Sequence, residues 1–204
     1  MIDLYTWGTP NGRKVSIMLE ACELPYQVET VNILEEEQFH PDFLRISPNN
    51  RIPAIVDPDG PGGEPISLFA SGAILVYLAE KTGRFLPGEP GARYQVMQWL
   101  MWQMGGFGPM LGQAHHFRKF AKEQVPYGIE RYSAEAKRLW GVLNTQLQGR
   151  EFVCDELSIA DFAIYPWAMR YEWQGVDPAE FEAVERWMKT VGELPFVDKG
   201  MAVP

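Results

Sequence analysis

Cysteine is scarce in this chain: Cys22 and Cys154 are the only two among 204 residues, and they form no C-x-x-C pair. This excludes a disulfide scaffold and gives no sign of an internal dithiol or a zinc site. So few cysteines suit a reducing compartment, and we expect a cytoplasmic protein. We interpret Cys22 as inert core, whereas Cys154 precedes a helix start and is expected to have a somewhat acidic thiol, although with a passive role.

Long apolar runs are also missing, because no run reaches the roughly 20 residues that a helix needs to cross a bilayer. The N-terminus has no basic stretch followed by an apolar one, as a signal peptide would have. Basic residues are outnumbered, with 18 Lys and Arg against 27 Asp and Glu, and no basic stripe stands out. We therefore expect neither a membrane protein nor a nucleic-acid binder.

Metal ligands show no useful pattern either. His115 and His116 are adjacent and have no carboxylate or cysteine at ligand spacing, so we interpret them as structural or solvent-facing and expect no metal. By contrast, the chain is rich in apolar residues, with a hydrophobic fraction of 46% and an aromatic fraction of 13%. These fractions predict a well-filled globular core.

The first part of the chain alternates between strand and helix patterns. Strands are predicted at four places: 2–5, 26–31, 52–56 and 65–69. A helix is predicted after the first strand, ending near Cys22, followed by a short turn at 41–46 and a helix opened by Ser71 and capped by Gly83. The order β-α-β, then a hairpin, then a helix, is that of a thioredoxin-like α/β domain.

From residue 92 onward the strand patterns stop, and the chain reads as all-helical. Helices are predicted at 94–104, 110–122, 127–148, from Ser158 to about Tyr171, and a last one from about Phe181 to Gly192. The Gly105-Gly106-Phe107-Gly108-Pro109 stretch is expected to interrupt the first of these helices. We therefore predict a first domain at 1–83, a linker at 84–91 and a helical domain at 92–204.

The stretch from Thr6 to Lys14 connects the first strand to the first helix. Thr9 and Asn11 place a hydroxyl and an amide beside the free N–H groups of the helix start. A helix N-terminus favours bound anions, thiolates included. Taken alone, however, such residues are typical of simple helix capping.

Three motifs resemble the glutathione transferase superfamily: Asn50-Arg51-Ile52-Pro53-Ala54, Ala70-Ser71-Gly72-Ala73-Ile74 and Ser158-Ile159-Ala160-Asp161. More narrowly, Thr9-Pro10-Asn11-Gly12 and Gly105-Gly106-Phe107-Gly108-Pro109-Met110 resemble the bacterial Nu class and its fungal relatives. The resemblance covers nearly the whole chain. It implies a thioredoxin-like glutathione-binding domain followed by an all-helical C-terminal domain, and it implies a homodimer.

The resemblance also implies glutathione-binding roles for single residues. Pro53 matches a cis-proline that turns the backbone of Ile52 toward the cysteinyl part of glutathione. Arg51 matches a cation for the glycyl carboxylate, and Ser71 matches a hydroxyl for the γ-glutamyl carboxylate. Further contacts are implied for two residues, Gln38 and Arg131.

Thr9 and Asn11 match a polar pair near the glutathione sulfur. Neither side chain is a general base at neutral pH, but both can donate hydrogen bonds to a thiolate and lower the pKa of the thiol. Tyr5 is an alternative activator by position, which we interpret as structural. One departure stands out: the family usually carries Glu or Gln before the serine of the second motif, and here the residue is Ala70.

Three functions follow from the resemblance. The first is glutathione-dependent reduction of a small disulfide, which suits a turn without a protein cysteine. The second is conjugation of glutathione to an organic electrophile, with an apolar pocket drawn from Trp7, Trp102, Phe107 and Met110. The third is a non-catalytic binding or regulatory protein, which Ala70 would favour. Glutathione is the expected substrate or co-substrate in the first two.

Overall fold

The computed structural model describes all 204 residues, which fall into two units. The first unit comprises Met1–Leu86 together with Leu194–Pro204, and the second comprises Pro87–Glu193. The division expected from the sequence, 1–83 and 92–204, therefore differs at the C-terminus, where the last residues join the first unit. None of the helices combines the length and the hydrophobicity that a membrane span requires.

The first unit is a four-stranded mixed sheet with helices. In chain order its elements are β1 (Ile2–Thr6), α1 (Pro10–Ala21), β2 (Tyr26–Thr30), α2 (Pro41–Ile46), β3 (Ala54–Asp57), β4 (Ile66–Phe69) and α3 (Ser71–Thr82). The strand order is β2-β1-β3-β4. β1 and β2 run parallel, whereas β3 is antiparallel to both β1 and β4. The thioredoxin-like arrangement predicted from the sequence is confirmed.

The strand register brings four chain segments to one edge of this sheet. Tyr5 on β1 is level with Glu29 on β2 and with Ala54 on β3, and Ala54 is level with Phe69 on β4. The ends of β1, β2 and β4 therefore meet the start of β3. The segments that follow or precede these points are the ones that carry most of the predicted site residues.

The C-terminal residues form a helix, α10 (Pro195–Ala202), that packs on α1. Ser16 Oγ donates a hydrogen bond of 2.7 Å to the carbonyl oxygen of Gly200. A Cβ atom at Gly200 would lie 2.5 Å from Cα of Ile17, so the two backbones touch there. The helix predicted from about Phe181 to Gly192 is present as Glu182–Gly192. It is not the last helix, however, because Pro195 occupies a first helical position of a further one, where the missing N–H costs nothing.

The second unit is all-helical, as predicted. Its helices are α4 (Pro90–Trp102), α5 (Gly108–His115), α6 (Pro126–Gln146), α7 (Ile159–Ala168), α8 (Tyr171–Gln174) and α9 (Glu182–Gly192). The expected capping box is present at the start of α7. The side chain of Ser158 accepts a hydrogen bond from the backbone N–H of Asp161, and the side chain of Asp161 accepts one from the backbone N–H of Ser158. The single helix predicted from Ser158 to Tyr171 is divided at Arg170, which leaves helical geometry.

The glycine-rich stretch between α4 and α5 does not break the helix. Gln103–Phe107 forms a π-helical turn, and Phe107 and Gly108 keep right-handed helical φ and ψ. The predicted interruption at 105–109 is therefore wrong. A π-helical turn widens the helix locally while the chain continues, and a second one spans His116–Phe120.

His115 belongs to an aromatic cluster within the second unit. Its ring stacks on Trp167 at 5.5 Å and meets the edge of Trp173 at 5.5 Å. Lys119 and Arg170 lie against the ring of Trp173 at 4.1 Å and 4.4 Å from its centroid. Burial, followed by the charges of Arg170 and Lys119, lowers the pKa of His115 to about 4.

This depressed pKa predicts an acid-sensitive unit. The unfolded chain binds a proton at this histidine below about pH 6.5, whereas the folded chain does not until about pH 4. The stabilisation is fully present above pH ~6.5, and about 1–2 kcal/mol is lost by pH ~5. We expect His115→Gln to flatten this part of the pH profile, as measured by urea unfolding. A variant with the wild-type slope would contradict the assignment.

Candidate active site at the sheet edge

The turn from β1 into α1 presents the N-terminus of a helix at the sheet edge. Thr9 is the N-cap, and its Oγ1 accepts a hydrogen bond of 3.3 Å from the backbone N–H of Gly12. Asn11 is the second residue of the helix, after Pro10. The first turn of α1 contains no acidic residue, so its positive end is not neutralised locally. Capping by Thr9 is confirmed, and its hydroxyl proton can still be donated.

Close packing fixes this turn against the strand. A Cβ atom at Gly12 would overlap Oγ1 of Thr6 and would lie 2.7 Å from the carbonyl oxygen of Trp7. Thr6 is fully buried. Glycine is therefore required at position 12 by the space available, and the Thr9–Asn11 pair is held on a rigid base.

The segment before β3 carries the cis bond that the resemblance implied. The Ile52–Pro53 peptide bond is cis, and Pro53 is buried directly before Ala54, the residue level with Tyr5. Ser47, itself fully buried, donates from Oγ to the carbonyl oxygen of Arg51 at 2.8 Å. The side chain of Arg51 is exposed. The backbone of this segment is thus anchored while its cation remains accessible.

The segment after β4 places Ser71 as the first residue of α3, where it is buried. Ala70 precedes it with φ +69°, in the left-handed region, and supplies no side-chain cap. Beneath Ser71 lies Lys14 of α1, with Nζ 3.4 Å from Oγ of Ser71. Lys14 is only 1% exposed, and burial lowers its pKa to about 7. Sequence reasoning missed this lysine, because no local pattern marks a lysine as buried.

The remaining predicted residues lie further along the chain. Gln38 lies in a 3₁₀ turn, Glu37–Phe39, beyond β2, where it is buried and its Oε1 lacks a hydrogen-bond partner. Arg131 lies on α6 of the second unit and is exposed beside a groove shared with Met110 and Arg138. The first unit therefore contains all the predicted site residues except Arg131.

Several side chains considered from the sequence prove less suited to catalysis. Burial, together with Asp3 and Glu29, raises the pKa of Tyr5, which makes it harder to ionise. Phe107 is fully buried and stacks on Trp102 at 4.9 Å, so it packs the second unit's core and does not line an apolar pocket.

The two cysteines are both free and buried. Burial raises the pKa of Cys22, although a hydrogen bond with Thr82 opposes this. Burial and the neighbouring Asp161 carboxylate raise the pKa of Cys154 to about 11. The expectation of an acidic Cys154 thiol is therefore wrong, since its low-dielectric surroundings outweigh the helix start. No cluster of three or more His, Cys, Asp or Glu side chains suited to a metal ion is present.

A thioredoxin-like unit with a cis-proline before β3 and a serine opening α3, followed by an all-helical unit, is the architecture of glutathione transferases. The chain belongs to this family. Residues 9–81 match the glutathione S-transferase N-terminal domain, and residues 109–195 match the glutathione S-transferase C-terminal domain.

Within this family, the chain is similar to individual proteins over nearly its whole length. The chain is 51% identical to the disulfide-bond oxidoreductase YfcG of Escherichia coli over 197 residues, covering 96% of this chain and 92% of that protein. A glutathione transferase from Pseudomonas putida, solved with one glutathione disulfide per subunit, is 46% identical with a TM-score of 0.94, covering 100% of this chain and 91% of that one. A family member from Pseudomonas fluorescens, solved with two glutathiones, is 47% identical with a TM-score of 0.95, covering 100% and 93%.

Proposed function

We propose that this protein is a glutathione-dependent disulfide-bond reductase in which the N-terminus of α1 stabilises the thiolate of glutathione. The observation that carries the proposal is the turn itself. It offers the hydroxyl of Thr9, the amide of Asn11 and a helix N-terminus, with no protein cysteine to act in place of glutathione. The similarity to a protein named as a disulfide-bond oxidoreductase supports the same chemistry.

The proposed reaction consumes two glutathiones for each disulfide. The thiolate of the first attacks one sulfur of the substrate disulfide in line, which breaks the S–S bond and forms a mixed disulfide. The departing thiolate takes up a proton. The thiolate of a second glutathione then attacks the glutathione sulfur of the mixed disulfide, which yields glutathione disulfide and the second product thiol. Related structures hold glutathione disulfide or two glutathiones, which is consistent with both steps in one site.

In this proposal, the other residues at the sheet edge hold glutathione in place. The backbone of Ile52, presented by Pro53, pairs with the cysteinyl part as an added strand would. Ser71 at the start of α3 binds the γ-glutamyl carboxylate, where the helix dipole helps, and Arg51 binds the glycyl carboxylate. Gln38 completes the set of glutathione-binding residues that the first unit contributes.

Conjugation to an electrophile is the second candidate, because it needs the same thiolate. It also needs an apolar second pocket, and the burial of Phe107 removes one of the side chains expected to line it.

We further propose that the protein is a cytoplasmic homodimer. Family membership supports the dimer, and two reduced, buried cysteines suit a reducing compartment.

The test is a direct comparison of the two activities. Turnover of a small symmetrical disulfide by glutathione is followed through NADPH oxidation by added glutathione reductase, and conjugation is followed with an aryl halide. We expect disulfide reduction to exceed conjugation clearly. Faster conjugation would favour the transferase, and binding of glutathione without either turnover would favour a regulatory protein.

A further inference from the structure

A buried cation lies directly behind the serine that opens α3. Lys14 and Ser71 are 57 residues apart in sequence, and both are at most 3% exposed, so folding alone brings Nζ and Oγ to 3.4 Å. α1 and α3 pack against each other, which fixes the distance. Placing an ammonium in the interior is unfavourable unless it serves interactions there. The fold therefore places the amino group of Lys14 inside the first unit, at the start of α3.

We propose that Lys14 is a positioning residue that orients the hydroxyl of Ser71 toward the carboxylate of the bound thiol and supplies positive charge behind it. An ammonium has three donors and no acceptor, so in this pair Lys14 donates and Ser71 Oγ accepts. The hydroxyl proton of Ser71 is then directed away from Lys14, toward another acceptor. This inference rests on the proposed function, in which that acceptor is the γ-glutamyl carboxylate.

The electrostatics of the helix start support the same assignment. The first turn of α3 contains no acidic residue, and Ala70 contributes no polar side-chain group. The buried ammonium and the positive end of the α3 dipole therefore act together on an incoming anion. Burial lowers the pKa of Lys14 to about 7, and a bound carboxylate would favour its protonated form. Lys14 thus places positive charge behind the hydroxyl of Ser71, at a helix start where Ala70 contributes no polar side chain.

The experiment uses Lys14→Met, Ser71→Ala and the double variant, with glutathione binding measured by calorimetry. We expect Lys14→Met to weaken glutathione about tenfold, the loss expected for one charge-assisted hydrogen bond. In the Ser71→Ala background the same change should cost less than about threefold, because the two residues act as a unit. Equal effects in both backgrounds would overturn the proposal.

A second ligand separates recognition of the carboxylate from general damage. Cysteinylglycine lacks the γ-glutamyl group, so Lys14→Met should bind it as the wild type does. In turnover, the KM for glutathione should rise about tenfold while kcat stays within about twofold. A matching loss of cysteinylglycine affinity, or a loss confined to kcat, would contradict the proposal.

Controls keep the outcome interpretable. Lys199 on α10 is exposed in the same unit, so Lys199→Met removes an equal charge without touching Ser71 and should leave affinity unchanged. Replacing a buried charge by an apolar side chain is often neutral or stabilising, so Lys14→Met should fold; Lys14→Gln substitutes if it does not. Wild-type binding without disulfide turnover would refute the reductase and leave this inference intact, whereas a wild type that binds no glutathione would refute both.

Discussion

Asn11→Ala is expected to lower kcat/KM for glutathione-dependent disulfide reduction by about 100-fold, the loss typical of one donor aimed at a reacting anion. Asn11 occupies the second position of α1, and Gly12 beside it is packed against Thr6, so the amide is presented from a rigid base. Removing the amide leaves the helix dipole and Thr9 to stabilise the thiolate. The measurement is the coupled assay under limiting disulfide.

Two further variants sharpen this prediction. Asn11→Asp has the same shape but cannot donate when ionised and repels a thiolate, so it should be at least as impaired as Asn11→Ala. Asn49→Ala removes an exposed amide elsewhere in the same unit and should retain wild-type rates. An Asn11→Asp variant with near-normal turnover would show that hydrogen-bond donation at this position does not matter.

Asp161→Ala is expected to lower the free energy of unfolding of the second unit by about 3–5 kcal/mol, because each buried donor left unsatisfied costs about 1–3 kcal/mol. Oδ1 accepts from the backbone N–H of Val153 and from Nε1 of Trp187, both at 2.9 Å. Oδ2 accepts from the backbone N–H of Ser158 at 3.0 Å and from its hydroxyl at 3.2 Å. All these groups are buried, so the alanine variant leaves several donors without acceptors.

A graded series separates this network from simple capping. Ser158→Ala removes the hydroxyl but leaves Asp161 its other donors, so we expect a loss of only about 1 kcal/mol. Asp161→Asn keeps the shape but presents an amide to donors, and should fall between the two. Thermal unfolding should follow the same order, with Asp161→Ala about 10 °C below the wild type. Equal losses for Ser158→Ala and Asp161→Ala would contradict the network.

The sequence predicts this fold well where the determinants are local. The alternating strands, the Gly83 cap and the Ser158–Asp161 box all depend on neighbours in the chain, and each is present. The cis bond before Pro53 was implied by family resemblance alone. Pattern reasoning failed at 105–109, because the glycines there adopt helical geometry once the flanking helices are packed.

Features decided by tertiary packing were the ones that the sequence did not reveal. The sequence pattern predicts no helix after Gly192, whereas Pro195 opens one whose Gly200 allows contact with α1. The burial of Lys14 depends on α1 meeting α3, and the high pKa of Cys154 depends on enclosure beside Asp161. The local periodicity of the sequence predicts none of these contacts, because each joins residues that are not neighbours in one element.

The most direct test of the central proposal is the pKa of the glutathione thiol when it is bound to the protein. Thiolate absorbance in the ultraviolet, titrated with saturating protein, reports it without any turnover. We expect the bound thiol to titrate well below the value of about 8.5 typical of a free cysteine thiol, and most of this shift to disappear in Asn11→Ala. A bound thiol that titrates like free glutathione would show that the Thr9–Asn11 turn does not stabilise the thiolate.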